Sequence, residues 1–302
     1  MINFNKNINL LLSAKLSPAT VREIIQSVYT NKITRIFLND KQLALVAPTL
    51  DILCLEFYLS PQKYLFDYDS GKGGFSNRAS ELIPDTAPVG AFMVHLGLDK
   101  QRVLDARTAD LSGNNQAFGN ALGIPDCCVS YFLNYHNDAS QIQNDFTLYS
   151  CHQQTATSEL DPWVIHCAQY FGYGLISHFP CSMNCKKTAD MAKANAKLLL
   201  SKIPDLAATF LAYQGYRYLY TEYDGIYAFT DLAINDKNIW HYNNKQLEMS
   251  HSGLLAEALM KGDSIKIETR SDFTIYAGDN EVMHVDSNKV YLLMHDKLIN
   301  SF

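Results

Sequence analysis

Apolar positions recur at helical spacing in the first two thirds of the chain and alternate in the last third. Ser17-Pro18-Ala19-Thr20 opens a helix, with Ser17 as cap and Pro18 in the first turn. Val21, Ile24, Ile25 and Val28 then share one face. Ile33 to Leu38 and Gln42 to Val46 read as two strands joined through Asn39-Asp40-Lys41. Leu50 to Leu59 reads as an apolar helix with Cys54 inside it, and Leu111 to Gly119, rich in Gly and Asn, as a loop. Pro125 to Tyr135 and the alanine-rich Ser182 to Ser201 are helical, the second ended by Pro204, and Asp205 to Tyr213 forms a further helix. Beyond it, Tyr216 to Thr221 and Ile226 to Phe229 flank a Gly225 turn as a hairpin. Ser264 to Thr269, Phe273 to Ala277, Glu281 to Val285 and Lys289 to Met294 are short strands, with one helix near Gly253 to Met260.

The expected class is therefore α+β, with a helical central region and a mainly β C-terminal region. The soft boundary near residue 214 suggests an α+β domain over 1–214 and a mainly β subdomain over 215–302. A chain of 302 residues with 47% apolar content is long enough for a large core. Its 25 basic and 31 acidic side chains give a formal charge of −6. No strongly basic stretch stands out, which argues against a nucleic-acid partner. No run reaches the roughly 20 apolar residues of a membrane span. The best stretch, Leu198 to Ala212, is broken by Lys202, Pro204 and Asp205. The N-terminus lacks the features of a signal peptide, so a cytoplasmic location is expected.

That location changes the meaning of the cysteines. In a reducing compartment, clustered thiols lean toward metal or redox chemistry rather than structural disulfides. There are seven, so full pairing is impossible. Four fall in two short segments: Gly123-Ile124-Pro125-Asp126-Cys127-Cys128 and His178-Phe179-Pro180-Cys181-Ser182-Met183-Asn184-Cys185. Each lies at the expected start of a helix, where the dipole and unpaired N–H groups favour thiolate. Cys181-x3-Cys185 fits the spacing of a zinc knuckle, but adjacent Cys127 and Cys128 do not. The uneven spacing points to an iron–sulfur cluster or a catalytic metal ahead of a plain zinc knuckle. The candidate ligands are Cys127, Cys128, Cys181, Cys185 and His178. Cys128 is the candidate reactive thiolate and His178 the candidate general acid or base. Cys54 and Cys167 read as small buried hydrophobes.

Other features stand beside these two segments. Lys72 and Gly73, in Ser70-Gly71-Lys72-Gly73-Gly74, suit an anion or a flexible turn, although the loop is no P-loop. Asp105, Arg107, Asp110, Asn114 and Asn115 form a polar stretch suited to holding a polar substrate or to lying in solvent. Cys151-His152 and His166-Cys167 flank or complete the site, or serve only structure. His95 reads as a core histidine. The pattern of the zinc nucleobase deaminases is not met, because no His-x-Glu precedes Pro180-Cys181 and three residues, not two, separate the cysteines.

Gly123, Pro125, Cys127, Cys128 and Phe132, with His178, Pro180, Cys181, Ser182 and Cys185, carry a resemblance. The chain resembles uncharacterised prokaryotic proteins with Gly-x-Pro-x-Cys-Cys-x3-Phe and a downstream His-x-Pro-Cys-Ser-x2-Cys. The likeness spans roughly residues 90–200. It implies that the two segments belong to one site and implies no particular reaction. The expected function is a metal- or iron–sulfur-dependent enzyme doing redox or Lewis-acid chemistry on a small polar molecule. The alternative is a zinc-stapled, non-enzymatic binding protein, and a metal-free thiol–disulfide protein ranks last.

Overall fold

The computed structural model describes residues 4–66, 79–141, 145–153, 160–236 and 238–293. In chain order its elements are α1 (Phe4–Ser13), α2 (Pro18–Thr30), β1 (Thr34–Leu38), α3 (Asp40–Ile52), β2 (Glu56–Phe66), β3 (Ala79–Ile83) and β4 (Ala91–Gly97). There follow α4 (Lys100–Leu111), α5 (Asn115–Ala121), α6 (Asp126–Gln141), α7 (Phe146–His152), α8 (Lys186–Lys202) and α9 (Pro204–Gly215). The last part holds β5 (Arg217–Thr221), β6 (Ile226–Phe229), β7 (Leu232–Asp236), β8 (Ile239–Tyr242), β9 (Leu247–Met249), α10 (Leu254–Lys261), β10 (Ser264–Thr269), β11 (Asp272–Ala277), β12 (Asn280–Asp286) and β13 (Val290–Leu293). The class is α+β, with three antiparallel sheets and most strands toward the C-terminus. Among the described residues no helix is long and apolar enough to cross a membrane.

The chain divides into two compact units, one of Met1–Asp67, Arg78–Asn137 and Ala194–Ala207, the other of Tyr68–Asn77, Asp138–Lys193 and Ala208–Phe302. The first is built on a sheet of order β1-β4-β2-β3. Along β1, Thr34, Ile36 and Leu38 are buried while Arg35 and Phe37 are half-buried, the alternation of a strand covered differently on its two faces. α2 lies on the Thr34 face, where Ser27 and Thr34 hydroxyls meet at 2.7 Å. α4 lies on the opposite face, where Val103, Ala106, Ile33 and Phe118 form a small core.

Three departures from the sequence expectation have local causes. Gln42 to Val46 belongs to helix α3, not a strand. Asn39 Oδ1 accepts from the Gln42 backbone N–H at 2.9 Å, and Gln42 Oε1 accepts from Asn39 N–H at 3.2 Å. This reciprocal capping box starts a helix where alternation alone suggested β. Leu50 to Leu59 is not one helix. α3 ends at Ile52 because Cys54 takes a left-handed conformation (φ 56°), with Cys54 N–H donating to Asp51 O and Leu55 N–H to Leu50 O. β2 then begins at Glu56. Leu111 to Gly119 is not a loop either. Gly113 (φ 70°) closes α4, and Asn114 at once caps α5 by accepting from Ala117 N–H. The Gly and Asn that suggest a loop are a stop signal and a start signal in succession.

In the second unit, β5 and β6 form the expected hairpin around Gly225 (φ 101°), and β10 to β13 match the expected strands closely. β5 is buried on both faces. Leu219 enters a core with Trp240, Phe273, Ile265 and Leu259, while Tyr218 and Tyr220 enter another with Cys151, Cys167 and Met183.

Candidate metal centre

Cys127 and Cys128 stand in the first turn of α6. α5 ends at Gly123, whose left-handed φ of 67° lets Gly123 N–H bond Asn120 O and Ile124 N–H bond Gly119 O. Pro125 follows, and its carbonyl accepts from both Cys128 N–H (2.8 Å) and Val129 N–H (3.0 Å), which starts the next helix. The two adjacent thiols are thus presented at a helix N-terminus within a turn of a forced bend in the chain. Their sulfurs lie 4.0 Å apart, far beyond the roughly 2 Å of a disulfide.

Cys181 and Cys185 are carried by a loop locked at several points. Phe179 stacks on Phe146 at 5.2 Å and meets the edge of His166 at 5.5 Å. Met183 is fully buried, and its carbonyl accepts from Asp161 N–H. Ser182 stands before α8 and does not cap it. Cys185 occupies that place, its carbonyl accepting from Ala189 N–H at 3.0 Å, while Ser182 Oγ donates to Asn184. Both segments therefore deliver thiols to the positive end of a helix dipole.

The four sulfurs of Cys127, Cys128, Cys181 and Cys185 all lie within 4.8 Å of one another and can hold a metal ion. Cys128 and Cys185 are buried, whereas Cys127 and Cys181 are half-buried. In a tetrahedral thiolate site with metal–sulfur bonds of about 2.3 Å, sulfurs stand about 3.8 Å apart. The observed set is close to that size.

His178 stands outside this group of mutually close ligand atoms. Its Nε2 meets Thr188 Oγ1 at 3.0 Å, which ties the start of the cysteine loop to the first turn of α8. The other cysteines are elsewhere. Cys54 is exposed, against the expectation of a buried hydrophobe, because it terminates α3 rather than lying inside it. Cys151 and Cys167 are buried, and burial with the nearby Asp145 charge pushes both thiols up. His166 Nε2 meets Thr147 Oγ1 at 2.6 Å, and burial holds its imidazole down at about 4. His152 Nε2 donates to Asn288 O. Lys72 and Gly73 lie outside the described residues.

The polar stretch before the first segment is largely occupied with structure. Asp105 accepts from Gln101, Arg107 donates to Leu59 O, and Asn114 caps α5. Asp110 pairs with fully buried His95 at 2.9 Å. One residue the sequence did not single out is Lys32. Its half-buried side chain passes over Gly123, 3.5 Å from where a Cβ there would stand. Burial holds its ammonium below the usual lysine range, with Glu23 opposing the shift. A lone lysine after a helix end carries no pattern by which it could be found.

No family model, curated protein or solved structure matches the chain.

Proposed function

We propose that the protein is a metalloprotein holding one zinc ion on Cys127, Cys128, Cys181 and Cys185. The observation that carries this is the mutual closeness of the four sulfurs, within 4.8 Å. In a four-iron cluster each thiolate sits on a different iron, and the size of the cluster drives the sulfurs well apart. The compact set favours a single ion and speaks against the cluster that the adjacent cysteines suggested. A closed set of four thiolates is the pattern of a structural site. The ion then acts as a staple, and its binding energy is folding energy for the cysteine loop and the start of α6. His178, through Thr188, orients the loop rather than binding the ion.

A second reading is an enzyme performing Lewis-acid or redox chemistry on a small polar molecule. It is favoured by the half-burial of Cys127 and Cys181, which gives solvent a way to that edge of the set. The complete burial of Cys128 makes Cys127 the better candidate for a thiolate that leaves the ion or reacts.

Elemental analysis of protein purified with and without air separates the metals. One zinc per chain and a colourless solution are expected, with cobalt taking the same place and giving a thiolate charge-transfer band. Iron with acid-labile sulfide in the anaerobic preparation would replace the zinc reading by a cluster. Absence of any bound metal in both would end it. Cys127→Ser then distinguishes staple from enzyme: the first role predicts weakened metal binding only, the second a lost reaction with metal and fold retained.

A further inference from the structure

The sheet of the first unit carries a group of side chains that neither the metal centre nor the core accounts for. The register sets Arg35 of β1, His95 of β4 and Tyr58 of β2 side by side on the face that α4 and α5 cover. Such a row usually belongs to apolar residues. Here His95 is fully buried and donates from Nε2 to Asp110 of α4, while its Nδ1 has no hydrogen-bond partner among the described residues. Phe118 of α5 meets the edge of the His95 ring at 5.7 Å. The Arg35 guanidinium lies 5.5 Å from the Phe118 ring and 6.0 Å from that of Phe37. Phe37 in turn packs edge-on against Tyr64 at 5.6 Å.

Arg35 is the odd member. It is half-buried, and among the described residues its five N–H donors meet no acceptor. A guanidinium taken partly out of water without an anion is costly. Asp110 on this face pairs with His95, and no ion pair joins it to Arg35. The hydroxyls of Tyr58 and Tyr64 also make no hydrogen bond among the described residues. The guanidinium lies near two aromatic rings, and with no acceptor among the described residues its N–H groups can make two parallel bonds to a carboxylate or phosphate. The rings around it offer an edge-on or stacked seat to a flat, unsaturated group attached to that anion.

We propose that this face is a binding site for a small organic anion, a carboxylate or phosphate monoester borne on a flat ring, with Arg35 as the charge partner and Phe37 and Tyr64 flanking the ring. The site is independent of the cysteine centre, and either can fail without the other.

The test titrates the protein as purified with benzoate, phenyl phosphate, acetate, inorganic phosphate and benzyl alcohol, by calorimetry. Benzoate or phenyl phosphate is expected to bind, and the preferred one identifies the head group. Acetate and phosphate should bind at least about tenfold more weakly, and benzyl alcohol not measurably. Arg35→Gln should weaken the preferred probe by about tenfold or more while metal content stays unchanged. In the unaltered protein, the preferred probe should shift the amide signals of β1 and β4 and the Arg35 Nε–H signal. This readout does not depend on any variant folding. The proposal is overturned if no probe binds, if ring-free anions bind as well as ring-bearing ones, if Arg35→Gln binds unchanged, or if the shifts fall elsewhere.

Discussion

Replacing each cysteine of the centre by serine, one at a time, separates the role of the ion from the role of burial. Structural zinc sites contribute about 10–16 kcal/mol of binding free energy at neutral pH. Shared over four thiolates, each sulfur accounts for about 3 kcal/mol, or roughly a hundredfold in affinity. All four variants should lose about that much, measured by competition with a chromophoric chelator. Without metal they should divide in two. Cys127 and Cys181 are half-buried, so a serine hydroxyl there stays hydrated and the metal-free protein unfolds as the parent does. Cys128 and Cys185 are 1% and 7% exposed. A hydroxyl there is taken from water, and an unmet one costs about 1–3 kcal/mol in the metal-free protein as well. Urea unfolding in excess chelator reads this second difference. The reasoning is refuted if Cys127→Ser binds zinc as tightly as the parent, or if chelator leaves the stability of the parent unchanged.

Three further outcomes are expected. His178→Ala should weaken metal binding about tenfold without changing the stoichiometry, and Thr188→Val should do the same, because each removes one contact that orients the loop. A complete loss of metal in His178→Ala alone would make it a ligand. The imidazole of His166 is held down to about 4 from 6.5 by burial, so between these values the unfolded chain binds the proton that the folded one refuses. Stability must then fall as pH drops from 6.5 to 4, by up to about 3 kcal/mol. His166→Phe should lose this share of the acid sensitivity in melting curves compared with the parent, and equal slopes in the two proteins would count against it. Asn39→Ala should cost about 1 kcal/mol in urea unfolding by removing the capping box of α3, and no measurable loss would place the start of that helix under tertiary control.

Features readable from the sequence are those whose cause lies within a few residues. Ser17 and Pro18 start α2 because cap and first turn are neighbours. The Gly225 hairpin and the strands β10 to β13 follow from alternation and turn residues. The same kind of signal misled where two local rules competed. Gln42 to Val46 alternates like a strand, yet the Asn39 and Gln42 side chains satisfy the first N–H groups of a helix. Gly113 and Asn114 suggest a loop, yet together they end one helix and begin another.

The chemistry divides along the same line. The sequence by itself determined which side chains could bind a metal, the two segments that carry them and the helix starts at which they stand, because residue identity and backbone turns are local. Only the tertiary structure decided that four sulfurs share one small volume while His178 turns to Thr188. It also decided that Cys54 is exposed while Cys151 and Cys167 are buried. Burial and convergence depend on which distant surfaces pack together, and a cysteine carries no mark of its future neighbours. The placing of Arg35 beside His95 is likewise a product of strand register, which brings together residues far apart in the chain.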